Sequence, residues 1–167
     1  MDYPNTAARR HADAAKLDRA NTLLHAARRQ PMLALTVAVN IVMLAIALIG
    51  IASDPRSVLG APTWMKTFKF AISIAMYAGT LIWVLNAITR RPRLVRFIGN
   101  ASGALLLVEI AIIALQAARG VPSHFNYATA LDGAFFAVMG VGITSMWVIN
   151  IFAFVLLLRE RLQSRAM

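Results

Sequence analysis

The sequence predicts an all-α membrane protein: a four-transmembrane-helix bundle, both termini in the cytoplasm, with a short N-terminal cytoplasmic helix. Three observations carry this. Hydrophobic residues make up 59% of the chain and charged residues 14%, where a soluble domain has roughly 25% charged. The apolar residues gather into four stretches, each near the ~20 residues that cross a bilayer core. Lys and Arg collect at the flanks of those stretches: six in residues 1–30, four in 90–96 and three after Leu158.

The elements follow in order. Residues 1–30 are polar, with no helix breaker between 5 and Pro31. They read as a juxtamembrane amphipathic helix or a tail, with Arg9, Arg10, Arg19, Arg28 and Arg29 facing lipid headgroups. They are no secretory signal, because the first apolar run begins only after Pro31 and is too long for a signal core. The transmembrane domain spans 31–160. Its first span covers about 32–52 and ends at Ser53-Asp54-Pro55. A short loop with Gly60 and two prolines leads to the second span, about 63–88. Arg90, Arg91, Arg93 and Arg96 form a compact basic loop before the third, about 97–118. The connection Arg119–Asn126 precedes the fourth, about 129–158, which is longer than a bilayer needs. Residues 161–167 are a cytoplasmic tail.

Basic flanks are cytoplasmic flanks. Thirteen of the 17 Lys and Arg residues fall on one side in this reading. The loops 53–62 and 119–128 then face outward, in a multi-pass protein of a bacterial inner (plasma) membrane. The net charge of +10 therefore speaks for the lipid bilayer as partner and against nucleic acid, which would require a basic surface away from apolar spans. The chain has no cysteine, which excludes disulfides, thiolate metal sites and thiol catalysis.

Ionisable residues inside spans are costly, and by default they are functional candidates. On the second helix Lys66, Lys69, Ser73, Tyr77 and Thr80 fall within a stripe roughly 80° wide at 3.6 residues per turn. On the third, Ser102, Glu109 and Gln116 recur every seven residues, with Arg119 a turn beyond. Glu109 lies ~15 Å below Arg119 at the helical rise, near the bilayer midplane. Tyr77 is about equally deep. The loop carrying His124 and Asn126 would cover the same end, with Asp132 flanking it from the fourth helix. The picture is an outward-facing pocket with a cationic mouth (Lys66, Lys69, Arg119, with His124) and one carboxyl at its floor. Cations near a membrane surface attract an anionic group, and Arg grips phosphate or carboxylate with two parallel hydrogen bonds. Low dielectric disfavours a lone carboxylate, which makes Glu109 a candidate proton carrier. A purely structural reading stands beside this one. Lys66, Lys69 and Arg119 can snorkel to the interface, and Glu109 can pair with Lys69 or Tyr77 merely to orient the bundle.

No metal or cofactor is read from the sequence. His11, His25 and His124 offer no pair within one span for a haem, which leaves only a haem or pigment held between subunits. No zinc spacing occurs. Ser123 and His124 are neighbours in sequence, a placement that rarely gives nucleophile–base geometry.

The strings Trp64-Met65-Lys66-Thr67-Phe68-Lys69-Phe70 and Gln116-Ala117-Ala118-Arg119-Gly120-Val121-Pro122-Ser123-His124-Phe125-Asn126 resemble a pattern in small bacterial four-helix integral membrane proteins. The resemblance covers about residues 60–145. It implies that architecture and carries no activity with it. Three functions remain open. The first is a binding or transport module for a small anionic or amphipathic ligand, acting as a homo-oligomer if it transports. The second is a membrane-embedded enzyme on a lipid or isoprenoid-like substrate, with Glu109 or His124 as catalytic base. The third is an accessory subunit of a larger membrane complex.

Overall fold

A computed structural model describes residues 25–165. Its elements are α1 (Pro31–Ser53), a two-stranded hairpin of β1 (Ser57–Val58) and β2 (Ala61–Pro62), α2 (Met65–Asn86), α3 (Pro92–Arg119) and α4 (Ala130–Arg165). All four helices are long and apolar enough to cross a membrane, and the chain is a multi-pass, all-α four-helix bundle. Most of the expected N-terminal helix lies outside the described residues; 25–29 are helical and run up to Gln30.

Two helices begin by the same device. Pro31 and Pro92 sit at the first positions of α1 and α3, where a proline loses no helical hydrogen bond. The ring pushes the preceding residue out of the helical region, and Gln30 and Arg91 adopt nearly the same conformation, φ −129° and −132°. The helix α3 therefore starts five residues before the apolar run at Phe97, and Arg93 and Arg96 of the expected basic loop are helical. At its other end α3 stops at Gly120, whose φ of 72° is the left-handed turn that closes many helices. Thr129 and Asp132 open α4: the Thr129 hydroxyl accepts the Asp132 N–H, the N-cap half of a capping box, and donates to the Asp132 carboxylate.

The helices α2 and α3 form the centre. The helix α1 packs on both, and α4 packs on α3 while Met146, Ala153 and Leu156 join the apolar cluster built from Ile74, Ala78 and Leu81 of α2 and Leu106 and Ile110 of α3. Outward faces of α1 and α4, with Ile41, Ile49, Trp147 and Phe152 among them, are exposed, as lipid-facing surfaces are. Lipid supplies no hydrophobic force between helices, so small residues that permit close approach decide the packing. Gly99 and Gly103 are that place on α3. A Cβ at Gly103 would lie 2.9 Å from the Met32 backbone, and one at Gly99 would strike the Gln30 side chain. Thr36 uses the closeness: its hydroxyl reaches the Gly103 carbonyl at 3.1 Å as well as its own helix at Met32.

The opposite end is tied by the hairpin. Asp54 accepts two bonds from the Arg56 guanidinium, at 2.9 and 2.7 Å, and a third from the Trp64 indole at 3.0 Å. The guanidinium holds the Asp54 carboxyl far below the usual carboxylate range. Arg56 also donates to the Ala118 carbonyl, so it caps the C-terminus of α3, where a cation is favoured. The Trp64 ring lies against Gly50, with no room for a Cβ between them.

The α1–α3 contact can be tested against a glycine that touches nothing. Gly103→Val should destabilise by about 1–3 kcal/mol through overpacking. Gly79 has nothing within 4 Å of its missing Cβ, so Gly79→Ala should stabilise by about 0.5–1 kcal/mol. Thermal unfolding in detergent reads both; equal effects would dissolve the claim of close packing at Gly103.

Candidate functional site

The segment 120–129 does not pass flat over the bundle. The backbone of Asn126 is fixed by its own side chain, which donates to the Pro122 carbonyl and accepts from the Ala128 N–H. Phe125 takes a positive φ of 54°, which a bulky residue rarely adopts. This tight turn leaves Phe125 exposed and sends the His124 ring inward, between Phe70 of α2 at 5.9 Å and Phe136 of α4 at 6.2 Å between ring centroids.

The ring is held from both edges. Lys66 Nζ lies 3.0 Å from Nδ1, and Glu109 Oε1 lies 3.7 Å from Nε2. An ammonium only donates, so Nδ1 must accept, and the proton of a neutral ring sits on Nε2, facing the carboxylate. Burial, and after it the charge of Lys66, push the His124 imidazole below its ordinary value. The result is a polar chain, Lys66–His124–Glu109, crossing from α2 through the loop to α3.

Lys66 and His124 of this polar series line a cleft of about 400 Å³ between α2, α3, the hairpin and the 120–129 loop, whereas Glu109 lies behind His124 and does not form its floor. Lys66, Lys69 and His124 line it beside Val58, Met65, Phe70 and Ile113. Leu59 and Phe125 form its lip, 88% and 80% exposed. Both have a positive φ. Leu59 precedes Gly60 in a two-residue hairpin turn whose central positions both have positive φ, a geometry that favours Asn, Asp or Gly.

The other residues singled out from sequence go elsewhere. Gln116, Arg119 and Asp132 form their own knot: Arg119 Nη1 donates to Gln116 Oε1 at 2.5 Å and to Asp132 Oδ1 at 2.6 Å, and Gln116 Nε2 donates to the same oxygen at 2.9 Å. The Arg119 charge is thereby spent on a nearly buried carboxylate, and Arg119 does not line the cleft. Asn126 shapes the loop. Ser73 donates to the Lys69 carbonyl on an exposed face. Tyr77 donates to Asn150 of α4 at 2.5 Å, which ties the two helices together below the cleft. Among the described residues no three His, Asp or Glu side chains come close enough to hold a metal.

Sequence reasoning did not identify Asp54, Arg56, Trp64 or Asn150 as partners. The Thr129-x-x-Asp132 spacing is itself a legible cap signal. The pairing of Arg119 with Asp132 across a loop has no such signature. Ser123 Oγ lies 3.2 Å from His124 Nδ1, so these sequence neighbours do meet. Nδ1 has one in-plane lone pair, and Lys66 competes for it at shorter range.

A depressed imidazole has a stability consequence. The folded protein disfavours the proton that the unfolded chain accepts near pH 6.5, so stability should be full above that pH and fall as the pH drops below it. His124→Gln should flatten the part of the Tm-versus-pH curve that falls below about pH 6.5. The same slope in both proteins would remove His124 as its source.

Comparison of the chain with protein-family models, with curated proteins and with solved structures gives no match, so the site is read from its own geometry.

Proposed function

We propose that the chain is a binding or transport module of a bacterial inner membrane that holds a small anionic, amphipathic molecule in the cleft. The observation that carries this is the pairing of apolar walls with two lysines in one cleft of about 400 Å³. Ligand sites of this size are mostly apolar, with a few placed polar groups that fix orientation. Lys69 is exposed and is the cation best placed to meet an anionic head. Lys66 lines the cleft and also holds Nδ1 of His124. An anion drawing Lys66 away would release the Nδ1 lone pair for a proton, and this couples binding to protonation. Four helices make a narrow bundle, so transport would require a second copy.

A second reading, an enzyme on a lipid-like substrate with His124 as base, is favoured by the Ser123 hydroxyl at 3.2 Å from the ring. It ranks lower because Lys66 at 3.0 Å occupies the same nitrogen.

Thermal shift in neutral detergent tests the binding reading with decanoate, decanol and acetate. Only decanoate offers both tail and charge. At about 100 times its Kd a ligand adds ~2.7 kcal/mol to stability, a rise of several degrees in Tm. Lys69→Ala should lose most of that shift. A full shift with decanol, or with the Lys69→Ala protein, would sink the proposal.

The orientation belongs to the same reading: the cleft faces outward and both termini inward, following the charge bias. The cysteine-free background makes labelling clean. Ser57→Cys and Ala128→Cys, both at exposed positions, should react with an impermeant maleimide in intact cells, and Ala87→Cys only after lysis. The reverse pattern would turn the cleft to the cytoplasm.

A further inference from the structure

A second cleft lies at the end of the bundle where α1 and α3 begin. Its volume is about 310 Å³, and Arg29, Gln30, Asn86, Arg93 and Arg96 line it over an apolar floor of Leu85, Ile88 and Val95. An adjoining hollow shares Arg29, Asn86 and Arg96.

Three features of this cleft are incomplete. First, Arg29, Arg93 and Arg96 form no salt bridge among the described residues. The one described carboxylate at this end, Glu160, is taken by the Thr89 hydroxyl and N–H and by the Arg90 N–H. Thr89 therefore contributes a wall to the cleft rather than a free hydroxyl. Second, the N-terminus of α3 opens on this cleft through Pro92 and Arg93, and it is not capped. Arg91 makes no side-chain cap bond, and the helix has no acidic residue in its first turn. Uncapped first-turn N–H groups with the positive end of the helix dipole favour an anion. Third, Gln30 is 2% exposed, and its side-chain oxygen has no hydrogen-bond partner. It is pinned against Gly99, where a Cβ would come within 1.9 Å of it. A buried acceptor left unpaired is costly, and it asks for a donor.

We propose that this cleft binds a phosphate group, carried by an anionic glycerolipid headgroup. Arginines match phosphate oxygens with charge-assisted, bidentate hydrogen bonds. The phosphate supplies the missing cap to α3. A glycerol hydroxyl beside it supplies the donor that Gln30 lacks. The floor of Leu85, Ile88 and Val95 covers the start of an acyl chain, as basic pockets between transmembrane helices do for lipid headgroups. The site is at the other end of the bundle from Lys66 and His124, and it stands or falls independently of the cleft there.

The test uses the full chain, delipidated in neutral detergent. Native mass spectrometry reads retention of added phosphatidylglycerol and phosphatidylcholine, and thermal shift reads inorganic phosphate. One phosphatidylglycerol per chain should be retained in preference to phosphatidylcholine. The Arg93→Gln/Arg96→Gln double variant should lose that retention by about tenfold or more, with unchanged helix content. Lys69→Ala should keep it. Should the double variant fail to fold, Arg93→Lys keeps the charge, gives up the bidentate grip and should weaken retention in the same direction. Protection by inorganic phosphate equal to that by the lipid, and lost in the same variants, would support the phosphate site and assign it to a soluble phosphate. Equal retention of the two lipids, or retention and phosphate protection indifferent to Arg93 and Arg96, would overturn the proposal.

Discussion

The ion pair between Arg119 and Asp132 sets the course of the loop that carries His124 into the cleft. It joins the last turn of α3 to the first turn of α4 across 2.6 Å, with Gln116 sharing both charges. The ten residues between Arg119 and Ala130 must then close on themselves. They do so by bending through Gly120 and Phe125, and the bend drives His124 into the bundle. A buried carboxylate with one partner removed is strongly destabilising, so the knot has little freedom to open. Arg119, which looked like a ligand binder by charge, thus fixes the scaffold together with Gln116 and Asp132. The residue they position, His124, sits where α2, α3 and α4 come together.

The helices were legible because the bilayer imposes length and composition. Spans read at 32–52, 63–88, 97–118 and 129–158 compare with Pro31–Ser53, Met65–Asn86, Pro92–Arg119 and Ala130–Arg165. The largest differences are at the charged ends. Arg93 and Arg96 looked like a loop because hydropathy registers charge, whereas the helix start is set by Pro92. The hairpin at 57–62 escaped because two residues per strand leave no alternation to read.

The site was legible in one dimension only. A period of 3.6 residues puts Lys66, Lys69, Ser73 and Tyr77 on one face, but it does not say which helix that face meets. Near the α2 start the neighbours are the 120–129 loop and α3; three turns on, the neighbour is α4. Tyr77 consequently finds Asn150 while Lys66 finds His124. Depth counting placed Glu109 about ten residues below Arg119, and the inward dip of the loop, which no periodicity announces, is what brings His124 down towards it.

Leu59 and Phe125 are bulky, exposed and strained in backbone at the lip of one cleft. Backbone preference alone would place Asn or Gly there, so the apolar side chains must be judged by the medium they meet. At the edge of a bilayer such a rim is wetted by hydrocarbon and headgroups. If the cleft holds a ligand of the kind proposed, one entering past this rim would come sideways, out of the leaflet. Occupancy would then follow that molecule's mole fraction in the membrane, and two cells with equal aqueous levels of it but different membrane compositions would fill the cleft to different extents.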